Sequence, residues 1–396
     1  MREAYIVSAV RTPIGRRRGV FSGVLPLTLS TIAVKEAVAR IGVDPADVDD
    51  VILGCVTPIG EQGANIARLT ALNARFPVTV PGVTINRMCG SSQQAVHFAS
   101  QSIIVGDMDI VVAGGVEHMT RVPMASDYPQ TWPDEFPFDL VPQGISAELI
   151  AEKWNISRMQ LDELGHASHM LAARATREGL FEEEIVPVRA PDGGAGSHFV
   201  TIDEGIRFDA SLEKMLALRP AFKEDGVVTA GNSSQISDGA AALVVMSEEA
   251  MKRYNLDPMA RIVARVVVGD DPILMLTGVI PATREVLKRA GLTVDDIDIF
   301  EVNEAFASVV LAWMAEIQPV PARVNPRGGA IALGHPLGAS GARIMTTLVH
   351  ELRQTGGRYG LQVMCIGHGM ATATIVENLS RSRFAMMRRA GSVIRR

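Results

Sequence analysis

Three cysteines in 396 residues, Cys55, Cys89 and Cys365, are too few and too widely spaced for a disulfide framework or a zinc knuckle, so a reducing compartment is expected. No uninterrupted apolar run reaches the roughly 20 residues that a bilayer span requires. The N-terminus passes from Met1-Arg2-Glu3 directly into Tyr5-Ile6-Val7 without the pattern of a signal peptide, and the expectation is a soluble, cytoplasmic chain. Charge of one sign is not in excess: a net charge of -6 argues for ordinary solubility and against a general nucleic-acid surface. With 47% hydrophobic and 21% charged residues the composition is that of a globular protein, which excludes disordered and fibrous classes and leaves enough apolar mass for a large core.

What is present is an alternation of apolar, β-rich runs with helical patterns, the signature of a layered α/β protein. Strands are expected at Ala4 to Val10, Val51 to Val56, Asp109 to Gly114, Ala241 to Met246, Ile297 to Val302 and Gly360 to Ile366, and helices at Leu29 to Ile41 and Thr283 to Ala290. Two segments are echoed later in the same order. The acidic turn and strand from Gly42 to Gly54 resembles Gly291 to Glu301, and Val111-Val112-Ala113-Gly114-Gly115 resembles Val363-Met364-Cys365-Ile366-Gly367. Together they suggest a duplicated α/β unit. Between the halves, about Arg121 to Ser233, the texture turns to proline and aromatics (Tyr128, Trp132, Phe136) and to a glycine-rich loop at Pro191 to Ser197, which reads as a substrate-facing insertion or a plain connecting subdomain.

Chemistry concentrates at glycine-flanked turns. Cys89 falls between the apolar run Pro81 to Asn86 and a helical pattern opening at Ser91. The N–H groups and positive dipole end of a helix N-terminus favour a thiolate, so a lowered pKa and a nucleophilic role are expected, with a cysteine packed under the helix as the alternative. His335, held between Gly334 and Pro336, is a base candidate, whereas His97, His166, His169 and His350 sit in helical patterns. Cys365 ends an apolar strand before Gly367 and Gly369, as a second reactive thiol or an inert strand residue, and Cys55 reads as a small buried hydrophobe. Asn303, in Asn303-Glu304-Ala305-Phe306, is placed either to orient a water or to cap a helix.

These segments resemble the thiolases, the acyl-CoA acyltransferases that cleave or form 3-ketoacyl-CoA thioesters. The resemblance runs from Val10-Arg11-Thr12-Pro13-Ile14-Gly15 to Met370 and includes, in order, Asn303-Glu304-Ala305-Phe306, the run Gly328 to Gly338 around His335, and the C-x-G-x-G around Cys365. It implies a duplicated five-layer αβαβα core with an inserted loop domain. The N-terminal half is then 1–120 with 234–255, the loop domain facing coenzyme A and the acyl group 121–233, and the C-terminal half 256–396. It also implies that Cys89 is acylated, that His335 activates it, that Cys365 handles the proton on the acetyl carbon, and that Asn303 holds a water. The N–H groups of Cys89 and Gly367 would form an oxyanion site. Ser234 and Arg207 match coenzyme A contacts, although a turn serine and an arginine before a helix also have ordinary structural uses.

The resemblance implies no bound cofactor and no metal, with coenzyme A as substrate, a homodimer or homotetramer, and a β-oxidation partner enzyme. Cleavage of 3-ketoacyl-CoA is the expected direction. A biosynthetic acetoacetyl-CoA thiolase, a ketoacyl-synthase-like condensing enzyme and a non-catalytic acyl-CoA or lipid carrier are the alternatives. Three departures from the family pattern stand out: His368 and Ala371 where glycines are frequent, and Gln143 where many members carry methionine before Gly144, which points to an altered acyl pocket. A tail from Asn378 to Arg396 carries six arginines and no acid.

Overall fold

The computed structural model describes residues 2–191 and 196–379; the centre of the Pro191 to Ser197 loop and nearly all of the arginine-rich tail lie outside the described residues. The strands are β1 (Ala4–Arg11), β2 (Gly15–Arg16), β3 (Asp50–Gly54), β4 (Gly82–Ile85), β5 (Ile110–His118), β6 (Val188–Pro191), β7 (Ser197–Val200), β8 (Ser237–Ser247), β9 (Ala260–Gly269), β10 (Ile299–Val302), β11 (Tyr359–Ile366) and β12 (Met370–Glu377). Every strand expected from sequence is present, with ends shifted by a few residues. The expected helices are Pro26–Ala39 and Val279–Ala290, the first opening with proline at its N-terminal turn, where the missing N–H costs nothing.

Two half-sheets carry the same topology. The first runs β4-β3-β5-β8-β1 and the second β10-β11-β12-β9, joined by Tyr5 opposite Arg261 and Ile6 opposite Ala260. In both, the inner pair is parallel (β3 with β5, β10 with β11) and the pairs that follow are antiparallel. The counterpart of β4 is reduced to one parallel bridge between Phe300 and Val324. Both sequence echoes fall on matching strands, the first leading into β3 and β10 and the second lying on β5 and β11.

Alternating side chains on each strand face different layers, because successive Cβ atoms point to opposite sides of a sheet. On β5, Val112 packs outward with Leu29, Val34 and Ile66, while Val111 and Ala113 face inward with Val96, Ile103, Met345 and Leu348. A second outer cluster, including Val286, Phe300, Trp313 and Leu361, covers the other half-sheet. Two helices, Ser91–Val105 and Leu337–Thr355, form the middle layer, and the second is buried from Leu337 through Leu352. Glycine permits this closeness: a Cβ on Gly341 would lie 2.4 Å from the Gln93 nitrogen on the facing helix. Helix, sheet, helix, sheet, helix makes five layers.

Between 119 and 236 no described residue joins the large sheet as a strand. The segment carries the helices Gln143–Lys153, Arg158–Arg177 and Leu212–Leu216 and the separate hairpin β6–β7. A buried ion cluster binds it to β1: Arg11 donates to Glu184 at 2.6 Å and to Asp203 at 2.7 and 2.9 Å. Among the described residues no helix is long and apolar enough to cross a membrane.

Candidate active site

The two middle helices occupy equivalent places in the two halves, and each begins at a reactive side chain. Cys89 precedes the first, with Gly90 as its N-cap; His335 precedes Pro336, the N-cap of the second. Around Cys89 the backbone is held by a dense local network. Met88 adopts φ 45°, its N–H donates to Asn86 Oδ1 at 2.8 Å, and Ser91 Oγ accepts from the Arg87 N–H at 2.9 Å while donating to the Met88 carbonyl at 2.6 Å. A left-handed residue before the cysteine is strained for a side chain with a Cβ, and the network over-determines it.

Cys89 is 3% exposed and packs in a small apolar cluster with Val56, Leu337, Met364 and Ile366, the last three adjoining His335 and Cys365 in the chain. Burial pushes its thiol up to about 12, helped by nearby Cys365 and opposed by the N–H groups of Gly367 and of Cys89 itself. This corrects the expectation of a lowered pKa: the helix N-terminus is present, but desolvation of the anion in the apolar cluster outweighs it. The resting group is a neutral thiol, with the N–H groups of Gly367 and of Cys89 close enough to oppose the rise without reversing it.

Gly334, at φ 101°, turns the chain into His335, whose own N–H reaches the Gln235 carbonyl at 3.1 Å and Ser237 Oγ at 3.2 Å. On the ring, Nδ1 lies 2.6 Å from Ser340 Oγ and Nε2 lies 3.5 Å from Asn303 Nδ2. Burial, with the Arg343 charge adding to it, pushes His335 down to about 3, so the imidazole is neutral. The same Asn303 amide donates to Cys365 Sγ at 3.6 Å, and Cys365 is fully buried, its thiol pushed up to about 11 by burial. Asn303 Oδ1 is buried without a protein partner. The capping alternative for Asn303 does not hold, since the following helix, Ala307–Ile317, has Phe306 as its N-cap and no side-chain cap.

Cys89, Gly367, Asn303, His335 and Cys365, drawn from segments as far apart in the chain as Cys89 and Gly367, thus meet at one place, where a thiol, a neutral base, a second thiol, an amide and backbone N–H groups supply what acyl transfer to sulfur requires. Arg207 is exposed and lines a cavity of about 660 Å³ together with Arg16, His169, Lys214 and Gln235. One of its lining residues, Gln235, accepts the His335 N–H through its backbone carbonyl. Ser234 is not among its lining residues; its N–H donates to the Ala305 carbonyl at 2.9 Å.

Sequence reasoning missed the groups that hold these segments. Buried Glu117, at the end of β5, accepts from the N–H groups of Val56 (2.8 Å), Thr57 (3.2 Å) and Gly338 (2.9 Å) and from Gln62 Nε2 (2.8 Å), joining the Cys55 loop to the turn after His335. Glu304 accepts from Ser168 Oγ, Asn325 Nδ2 and the Ile331 N–H, fixing the segment that leads to His335. The one signal for Glu117 was a carboxylate closing an otherwise apolar strand.

Residues 4–249 match the family model "Thiolase, N-terminal domain" and residues 256–378 match "Thiolase, C-terminal domain". The steroid 3-ketoacyl-CoA thiolase FadA6 of Mycobacterium tuberculosis is 48% identical over 96% of this chain and 95% of its own length. The 3-ketoacyl-CoA thiolase of Aliivibrio fischeri is 45% identical over 95% of this chain and 100% of its own. Among solved structures, the acetyl-CoA acetyltransferase of Bacillus anthracis superposes with a TM-score of 0.90 at 40% identity, and human mitochondrial 3-ketoacyl-CoA thiolase with 0.89 at 37%. Each covers 96% of this chain and 99% of its own.

Proposed function

The chain belongs to the thiolase family, and on that premise we propose that it cleaves 3-ketoacyl-CoA with coenzyme A, giving acetyl-CoA and a shortened acyl-CoA through a thioester on Cys89. The observation that carries the reading is the single Asn303 amide set between His335 Nε2 and Cys365 Sγ.

Cys89 Sγ attacks the 3-keto carbon as its proton passes to His335 Nε2, so thiolate forms only in concert with bond formation. The oxyanion is held by the N–H groups of Cys89 and Gly367, backbone donors of the kind that stabilise such a charge. Collapse breaks the C2–C3 bond and leaves the acyl group on Cys89 and an acetyl-CoA enolate, stabilised by His335 and a water on Asn303. Cys365 gives its proton to C2 and becomes a thiolate. That thiolate takes the proton of an incoming coenzyme A thiol, which attacks the Cys89 thioester; the departing Cys89 sulfur recovers the proton held by His335. Every group returns to its starting state, and the steps are reversible.

Arg16, Arg207 and Lys214 on the large cavity suit the phosphates of coenzyme A, with Gln235 near the reacting end. Coenzyme A is a substrate, and no bound cofactor enters the scheme. The names of the curated relatives favour degradation of fatty-acyl or related side chains over biosynthesis. A cytoplasmic homodimer or homotetramer working with a β-oxidation partner belongs to the same reading.

Intact-mass spectrometry after mixing with 3-ketoacyl-CoA tests it. An acyl adduct mapping to Cys89 and cleared by coenzyme A is the expected result. Tight acyl-CoA binding with no adduct would instead describe a carrier.

A further inference from the structure

Gly367 is flanked by groups that the reaction scheme leaves unused. A Cβ built on it would lie 3.2 Å from Gln143 Nε2 and 3.7 Å from Met88 Cγ, so the Gln143 amide stands over a turn that packs against the residue preceding Cys89. The next residue, His368, is half-buried and adopts φ 63°, a left-handed conformation that glycine occupies freely and a histidine does not. Its ring lies 6.0 Å from that of Tyr128, inclined at 45°. Among the described residues the polar ends of Tyr128, Gln143 and His368 make no hydrogen bond within the protein.

None of the three lines the cavity that holds Arg16, Arg207 and Lys214. They gather instead at the Gly367–His368 turn, which packs against Met88, the neighbour of Cys89. Behind Gln143 the wall is aromatic: a Cβ on Gly144 would meet the Phe222 ring at 2.1 Å, and Phe222 packs edge-on against Phe306 at 5.8 Å. During attack the 3-keto carbon sits on Cys89 and its C2 side leads to coenzyme A, which leaves the remaining substituent, the acyl chain, to meet the polar groups at the Gly367–His368 turn.

We propose that Tyr128, Gln143 and His368 select 3-ketoacyl-CoA esters whose acyl group bears a hydrogen-bond-accepting oxygen, a keto or carboxylate group, close to the carbon that Cys89 attacks. The inference rests on the thiolase reading above. A plain hydrocarbon chain lying against these side chains would strip water from three donors and give nothing in return, and polar groups left unpaired in a complex discriminate more strongly than the loss of a methylene contact. The strained φ at His368 fits a side chain kept there for contact with a ligand.

The test compares two six-carbon esters, 3-ketoadipyl-CoA and 3-ketohexanoyl-CoA, which differ in a terminal carboxylate against a methyl. The kcat/KM ratio of the wild type is expected to favour the former by about tenfold or more, as for a charge-assisted hydrogen bond. His368→Gly, which also suits the backbone there, Gln143→Met and Tyr128→Phe should each lower that ratio several-fold. Because the ratio is taken within one preparation, partial misfolding of a variant cancels. A wild-type ratio at or below one, or a ratio that all three variants leave unchanged, overturns the proposal. Turnover of acetoacetyl-CoA in that event would leave the thiolase reading intact, whereas no turnover of any ester would overturn that reading instead.

Discussion

Ser340 Oγ donates to the Pro336 carbonyl at 2.9 Å and lies 2.6 Å from His335 Nδ1. A hydroxyl proton given to the carbonyl calls for the ring proton on Nδ1, and an Asn303 N–H directed at Nε2 calls for the same tautomer. That leaves Nε2 as the unprotonated, basic nitrogen, facing the Asn303 amide. Ser340→Ala should remove this choice of tautomer and lower kcat by about 10- to 100-fold with a much smaller change in KM. A fall in KM and kcat together, or no change in either, would count against a role through His335.

Cys89 should behave as a buried neutral thiol until substrate arrives. With its pKa pushed up to about 12, alkylation by iodoacetamide in the absence of acyl-CoA should climb about tenfold per pH unit from pH 7 to pH 10, without a plateau. Saturation near pH 8 would mean that a thiolate is stabilised after all.

The two thiols should separate by readout. Cys89→Ala is expected to abolish both the acyl adduct and turnover while the protein stays folded. Cys365→Ala should still form the adduct but fail to exchange the methyl protons of acetyl-CoA with deuterated water. Exchange persisting in that variant would assign the proton to another group.

Acid should destabilise the fold through its buried histidines. His97 and His335 are both pushed down to about 3 by burial, and His169 to about 4, against an ordinary value of 6.5. As pH falls below about 6.5 the unfolded chain takes up these protons and the folded protein does not, so stability present at pH 7 is lost progressively toward pH 4. At pH 5 the loss is on the order of 2 kcal/mol for each such histidine. Urea denaturation at pH 7 and pH 5 gives the slope, and His97→Gln, distant from the reactive groups, should flatten it by about one proton.

Glu117 binds four N–H donors in the interior, and its removal leaves them without acceptors. Glu117→Ala should cost about 3–5 kcal/mol of stability, read from denaturant midpoints, with Glu117→Gln costing less because it keeps one acceptor oxygen. A cost under about 1 kcal/mol would show that the Cys55 loop and the turn after His335 are held by other contacts.

Local sequence was informative where local physics decides. The glycine-flanked settings of Cys89, His335 and Cys365 are visible because tight turns and close approach need glycine at particular positions, and the strand-to-helix junction at Cys89 follows from a change of apolar period. Ser340 was not legible: a serine in the first turn of a helix has many uses, and only the fold of Gly334-His335-Pro336 brings it to the ring. Glu117 was hidden for a related reason, since its partner Gly338 lies 221 residues away in the chain.

The thiol of Cys89 shows the division most sharply. Its place at a helix N-terminus is a property of the adjoining residues, and from it a lowered pKa follows. The sign is reversed by Val56, Leu337, Met364 and Ile366, which come from three other segments and remove the water that would solvate the anion. The sequence by itself determined the layered α/β alternation, the echo between halves and the identity of the reactive side chains, because these depend on periodicity and residue chemistry. Tertiary structure alone decided which of those side chains meet, which nitrogen of His335 is basic, and how far burial overrules the helix terminus, because distance and desolvation arise only when remote segments pack.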